Sequence, residues 1–213
     1  SAFRRVRVFA PSLRQEHMSA AREEMNLLFV EWSNKQVNLF KVELISVPMV
    51  TAVATYSVPG RVIMVLDAYI TANSGTAQQT DRYISPISRT EYASFANKAT
   101  PGQPSQFWFD RLIAPTITMY PVPDNSGPYV LNYYACTQMQ DANLAGGETP
   151  DIPYRWYDAF VSGLSHRFAR IYAPELEDKR EKDAMKAWTI AATQDTENVA
   201  LSIAPTISTY YRR

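Results

Sequence analysis

The period of the apolar residues changes twice along this chain, and a segment patterned for a helix cannot serve as a strand. From Ser12 to about Lys35, the residues Met18, Ala21, Met25, Leu28 and Trp32 recur at spacings of three and four. That spacing predicts one long amphipathic helix, entered at Pro11-Ser12 with Ser12 as its cap. From Phe40 the pattern turns β-branched and aromatic: Val42, Leu44 and Val47, then Val53, Tyr56 and Val58, then Val62 to Ile70. Pro48 and the Pro59-Gly60 pair punctuate these runs. Helical spacing returns after Pro153, where Trp156, Phe160, Leu164, Phe168 and Ile171 form a stripe. Pro174 then opens a third helix with a solvated first half, Glu175 to Lys186, and a buried seam of Met185, Trp188, Ala192, Val199 and Ile203.

Between the helical ends, QFWFDRLI, TITMYPVP and YVLNYYAC read as three strands joined by short turns, which predicts an antiparallel meander. Thr71 to Gln79 and Ala99 to Pro104 read as exposed loops, and Arg82 to Ile87 as a short strand. Ser88 or Thr90 caps a short helix through Tyr92 and Phe95. The expected class is α+β: a bundle of the N- and C-terminal helices with an inserted antiparallel β domain. The expected division is a basic arm and helix over 1–39, the β domain over 40–138, the C-terminal helices over 139–204 and an extended tail over 205–213.

Composition narrows the function. Hydrophobic residues make up 46% of the 213, and 21 basic side chains balance 21 acidic ones, so extensive disorder is not expected. The longest apolar run, Val47 to Val58, is interrupted by Pro48, Thr51, Thr55 and Ser57 and is too short to span a membrane. The opening SAFRRVRVFAPS lacks the apolar stretch of a secretory signal, so a cytosolic location is the expectation. A single cysteine, Cys136, rules out an intramolecular disulfide and a multi-cysteine zinc site. His17 and His166 have no second ligand at helical spacing, and Asp81, Asp110 and Asp151 are scattered. With only seven glycines and no phosphate-cradle or nucleophile-elbow motif, the chain reads as a non-enzyme without cofactor or metal.

The zero net charge is an average. Residues 1–22 carry five arginines against Glu16, the chain ends in Arg212-Arg213, and the 189 residues between hold 14 basic and 20 acidic side chains. The arm with Arg4, Arg5 and Arg7 reads either as a solvated end or as a contact surface for an acidic partner, a neighbouring subunit or nucleic acid. Ile207, Tyr210, Tyr211, Arg212 and Arg213 follow the helix-stopping Pro205 and are residue types enriched at interfaces, which favours a docking tail over one folded back on its own domain. Phe107, Trp108, Phe109, Tyr129, Tyr133 and Tyr134 read as cross-strand partners. A nucleic-acid-binding module using the basic arm and these aromatics is the alternative.

Several segments, taken in order, resemble a known family: EEMNLLFVEWSNKQVNL (23–39), YSVP (56–59), TDRYISPISRTEYASFANKATPGQPSQFWFDR (80–111), TITMYPVPD (116–124) and IPYRWYDAFVSGLSHRFA (152–169). Together they resemble the head-to-tail adaptors of tailed bacteriophages, called tail tubular protein A in short-tailed phages, over about Arg22 to Ala204. The resemblance implies a virion structural protein, assembled in the host cytoplasm, without cofactors. It implies a ring of twelve copies clamped beneath the portal ring, with the tail nozzle or next tail component on the opposite face. It also implies a lumen that carries double-stranded DNA outward at ejection and helps retain it beforehand, and a carboxyl-terminal segment, here Ile207 to Arg213, reaching the portal. Relatives often place a further complete helix before the tryptophan-bearing one, where this chain has SAFRRVRVFAP.

Overall fold

The computed structural model describes residues 1–35, 38–139 and 152–196. It is an α+β fold: helices at both ends of the chain flank a curled seven-stranded sheet. A short helix α1 (Ala2–Arg5) leads through a 3-10 turn (Ala10–Ser12) into α2 (Gln15–Lys35). Ser12 does not cap α2. Its Oγ donates to the Phe9 carbonyl at 2.8 Å, and His17 Nδ1 instead accepts from the Arg14 amide at 3.1 Å. The buried residues of α2 are Leu28, Phe29 and Trp32, with Ala21 and Met25 partly covered, whereas Met18 at the start of the expected stripe is exposed.

The strands are β1 (Val42–Pro48), β2 (Thr55–Ser57), β3 (Val62–Ala72), β4 (Thr80–Pro86), β5 (Pro101–Gly102), β6 (Gln106–Asp110), β7 (Thr116–Tyr120), β8 (Val122–Pro123) and β9 (Tyr129–Thr137). A short helix α3 (Arg89–Ser94) follows β4, and Ser88 Oγ caps it by accepting from the Glu91 amide at 3.0 Å. The sheet order is β1-β9-β3-β4-β6-β7-β2, and β5 pairs with β8 in a separate two-stranded ladder. Two features depart from the expected antiparallel domain. The β4–β6 and β5–β8 pairs are parallel. The three-strand meander also fails, because β6 and β7 pair but β9 leaves them to lie between β1 and β3. The five residues between Pro123 and Tyr129 let the chain change sheet neighbours, and the place between β1 and β3 pairs both edges of β9.

Both expected loops shrink. β3 continues to Ala72, and Thr71 is buried because its hydroxyl donates to Asp81 Oδ1 at 2.6 Å and accepts from Asn132 Nδ2 at 2.8 Å. Pro101–Gly102 pairs with Val122–Pro123, and Pro104 is buried. The sheet core gathers Ala68, Ile70, Ile84, Phe107, Ile117, Met119, Leu131, Tyr133 and Ala135.

A 3-10 turn (Tyr154–Trp156) opens α4 (Tyr157–Tyr172), and another (Pro174–Leu176) opens α5 (Glu177–Gln194). Helix α4 is the spine of a second core, with Trp156, Ala159, Leu164, Phe168 and Ala169 buried against α1, α2 and α5, while Ile171 is exposed. Trp32 and Trp156 meet with ring centroids 5.1 Å apart, and Phe3 stacks on Phe168 at 4.3 Å. At Gly163 a β-carbon would stand 3.0 Å from the Leu28 methyls, so the close approach of α2 and α4 favours glycine there and a larger residue would push the Leu28 side chain aside. The seam of α5 is finer-grained than expected: Ala184, Ala187, Trp188, Ala191 and Ala192 face inward, and Met185 points to solvent. Val199 and Ile203 lie outside the described residues.

Trp156 is wholly buried between α2 and the chain entering β1. Trp156→Ala is expected to lower stability by about 3–5 kcal/mol, read as a shifted urea midpoint at unchanged slope. A change under about 1 kcal/mol would show that the two tryptophans do not anchor the helices.

Candidate assembly interface

Two polar networks fix the helices before any surface is offered to a partner. Arg167 of α4 donates to Glu24 at 3.2 Å, to Glu31 at 2.7 Å and to the Leu27 carbonyl at 3.3 Å, so one guanidinium ties α4 to three points of α2. Lys35 completes the group at 2.6 Å from Glu31, its ammonium 5.1 Å from the Trp188 ring. Burial raises the affinity of Glu31 for a proton, but the hydrogen bonds from Lys35 and Arg167 outweigh it and hold the carboxyl below its ordinary value. In the second network the buried Asp195 accepts from Arg155 at 2.6 Å and from the Leu39 amide at 3.0 Å, joining the end of α5, the entry to α4 and the entry to β1. Neither network was visible in the sequence, since Arg167 stands more than 130 residues from its partners on α2, Asp195 stands 156 from Leu39 and 40 from Arg155, and the partners follow no motif.

A groove of about 270 Å³ between α2, α4 and α5 is lined by Trp32, His166, Arg167, Arg170, Glu181 and Trp188. Of its charged walls, Arg167 and Lys35 pair with Glu31, and Arg170 donates to Glu177 at 3.1 Å. His166 Nε2 is buried with no hydrogen-bond partner among the described residues, and burial together with the nearby Arg170 depresses its pKa. No cluster of three metal-ligating side chains occurs among the described residues.

The surface residues singled out by sequence fall into different places. The basic arm is docked: Ala2 and Val6 are buried, and Arg5 donates to Ser162 at 2.6 Å and Asp158 at 3.2 Å. Arg180 in turn donates to the Arg5 carbonyl at 2.7 Å. Arg7 lies 3.8 Å from Glu175 with both side chains exposed, and Arg4 is exposed with no side-chain partner among the described residues. Ile207, Tyr210, Tyr211, Arg212 and Arg213 lie outside the described residues. Of the sheet aromatics, Phe107, Tyr129 and Tyr133 are core and Trp108 stacks on Tyr92 at 5.5 Å, which removes them as a stacking platform for bases; Tyr134 alone is exposed.

Sequence reasoning missed the largest exposed apolar groups. The connection between β6 and β7 carries Ile113 fully into solvent and leaves Leu112 more than half exposed. The outward faces of the C-terminal helices add Tyr154, Tyr157, Ile171, Met185 and Ile190. In the sequence Leu112 and Ile113 read as the end of the strand QFWFDRLI, whereas in the structure that strand ends at Asp110. These groups stand on two separate elements, the β6–β7 connection and the C-terminal helices.

A family model for the SU10 adaptor protein matches residues 16–204. The chain belongs to the SU10 adaptor protein family. It is thus a phage adaptor and structural virion component, and membership points away from catalysis. Curated proteins give no match. The matched span leaves out the docked arm at one end and the tyrosine-arginine tail at the other. No helix among the adaptor's described residues is long and apolar enough to cross a membrane.

His166 in the groove and Glu31 in the Arg167 network make the adaptor sensitive to acid. His166 is held neutral in the fold, so its contribution is present above about pH 6.5 and lost as pH falls through its depressed folded value. Glu31 acts in the same direction further down, since its lowered folded pKa favours the fold above the carboxylate range. The urea midpoint is expected to fall between pH 7 and pH 5, and His166→Gln to flatten that decline. Equal slopes for both proteins would contradict this.

Proposed function

We propose that the adaptor is of the tail tubular protein A kind, twelve copies forming a ring of about 290 kDa between the portal ring and the tail nozzle or next tail component. The ring retains packaged DNA and forms part of the channel through which double-stranded DNA leaves. Family membership over residues 16–204 carries this reading. Two kinds of surface support it. A closed ring of identical chains needs two different faces that meet, and the exposed apolar groups stand on different elements, Leu112 and Ile113 on the β6–β7 connection and Ile171, Met185 and Ile190 on α4 and α5. In this reading the helices over 1–39 and 139–204 form one body and the sheet over 40–138 another, and the tail 205–213 docks on the portal through Ile207, Tyr210, Tyr211, Arg212 and Arg213. Arg4 and Arg7, left exposed by the docked arm, contact a partner or a neighbouring subunit. The acidic balance of the body limits adhesion to passing DNA.

Portal engagement drives ring closure, so the isolated protein is expected to sediment as a monomer or a mixture of small species. A stable twelve-copy ring without portal would contradict that step. Deleting residues 206–213 is expected to leave the unfolding curve unchanged and abolish co-sedimentation with portal rings. Co-sedimentation at the full-length level would overturn the docking role of the tail.

A further inference from the structure

Strands β6 and β7 form an antiparallel ribbon that continues into the edge strand β2. At one end of it, Asp110 to Pro115 forms the tip, pinned to the turn after β2 by the Val58 amide donating to the Pro115 carbonyl at 2.9 Å. Leu112 and Ile113 point away from the protein there, and the neighbouring Arg111 is exposed with no hydrogen bond or ion pair among the described residues.

At the other end, beyond Tyr120, three segments enclose a mostly apolar hollow of about 420 Å³. Ala52 and Ala54 come from the chain entering β2, Ala99 and Pro101 from the segment at β5, and Val122 and Pro123 from β8. Backbone hydrogen bonds hold these walls: the Ala52 amide donates to Pro123 and the Val122 amide to Thr100, each at 2.9 Å. Ala52 sits at φ +62°, a left-handed conformation kept only where the surroundings enforce it. The rim carries Asp124 and Lys98. Hydrogen bonds from the Ser126 hydroxyl and amide keep the Asp124 carboxyl ionised, and it pairs with no cation among the described residues.

We propose that neighbouring copies of the adaptor meet with the Leu112-Ile113 tip of one chain seated in the hollow of the next, an assignment that rests on the ring reading above. Tip and hollow complement each other in shape and in charge. The tip is apolar and flanked by Asp110 and Arg111, while the hollow is apolar and flanked by Lys98 and Asp124, so each charge at the tip has an opposite one at the rim. The two surfaces stand at opposite ends of β7, about 17 Å apart along a five-residue strand, so no chain can fill its own hollow. A contact of this kind is head-to-tail: it leaves a free tip and a free hollow after every addition, until rotation closes the ring.

Paired cysteines test the contact on the full chain. Ile113→Cys and Ala99→Cys both replace exposed residues, and the native Cys136 is buried and silent. With a short bismaleimide in the presence of portal rings, the chain carrying both cysteines is expected to give a ladder of dimers, trimers and larger species. A mixture of the two single variants is expected to stop at dimers joining position 113 to position 99. Arg111→Glu, placing like charges together, is expected to cut the yield several-fold, less so in high salt. Links from 113 to 113, or no ladder, would overturn the contact. Rings forming on portal without 113–99 links would overturn the contact alone, whereas bare portal in the presence of wild-type adaptor would overturn the ring reading with it.

Discussion

The pairing of β1 with β9 is the constraint on which the rest of the structure depends. Val42 stands opposite Cys136 and Pro48 opposite Val130, so residues more than 80 positions apart share one antiparallel ladder. Because β1 follows α2 and β9 precedes α4, this ladder returns the chain to its starting point and brings both terminal helices to one end of the sheet. Thr137 Oγ1 donates to the Lys41 carbonyl at 3.1 Å where the two strands leave the sheet, and Asp195 ties the same corner to the end of α5. Removing the closure would leave Trp32 and Trp156 with no reason to meet.

Closure also decides which surfaces remain open. With β9 held between β1 and β3, the sheet curls through β4 and β6 and ends at β7 and the three-residue strand β2. The short strand β2 gives little backbone for accidental pairing at that edge, and exposed apolar side chains stand at the tip of the ribbon and on the outer faces of α4 and α5. That distribution suits a part that joins several neighbours, each through a limited contact.

Much of this was legible in the sequence. The long helices, the strands and the Ser88 cap each rest on local patterns of spacing, β-branching or capping chemistry. The meander was misread because short connections favour adjacent pairing, and only tertiary burial tells β9 to go elsewhere. Thr71 and Pro104 were misplaced because polar or proline-rich stretches read as loops until a partner such as Asn132 or β8 is known. Met185 and Ile171 fit a helical stripe by spacing, yet small residues, alanines above all, let α5 lie close to α4 and turn those larger groups outward. The candidate interface was hardest to see: the hollow is assembled from three distant segments, and the fixed position of the basic arm depends on Ser162 and Asp158, more than 150 residues away.

The adaptor reading stands or falls on what the protein does beside a portal ring. Direct imaging of wild-type chain mixed with purified portal addresses that most directly. The account predicts a second ring of twelve copies stacked coaxially beneath the portal, with density between neighbours at the tip of the β6–β7 ribbon. Portal rings left bare at saturating protein, or decorated by scattered single copies without a closed ring, would contradict it.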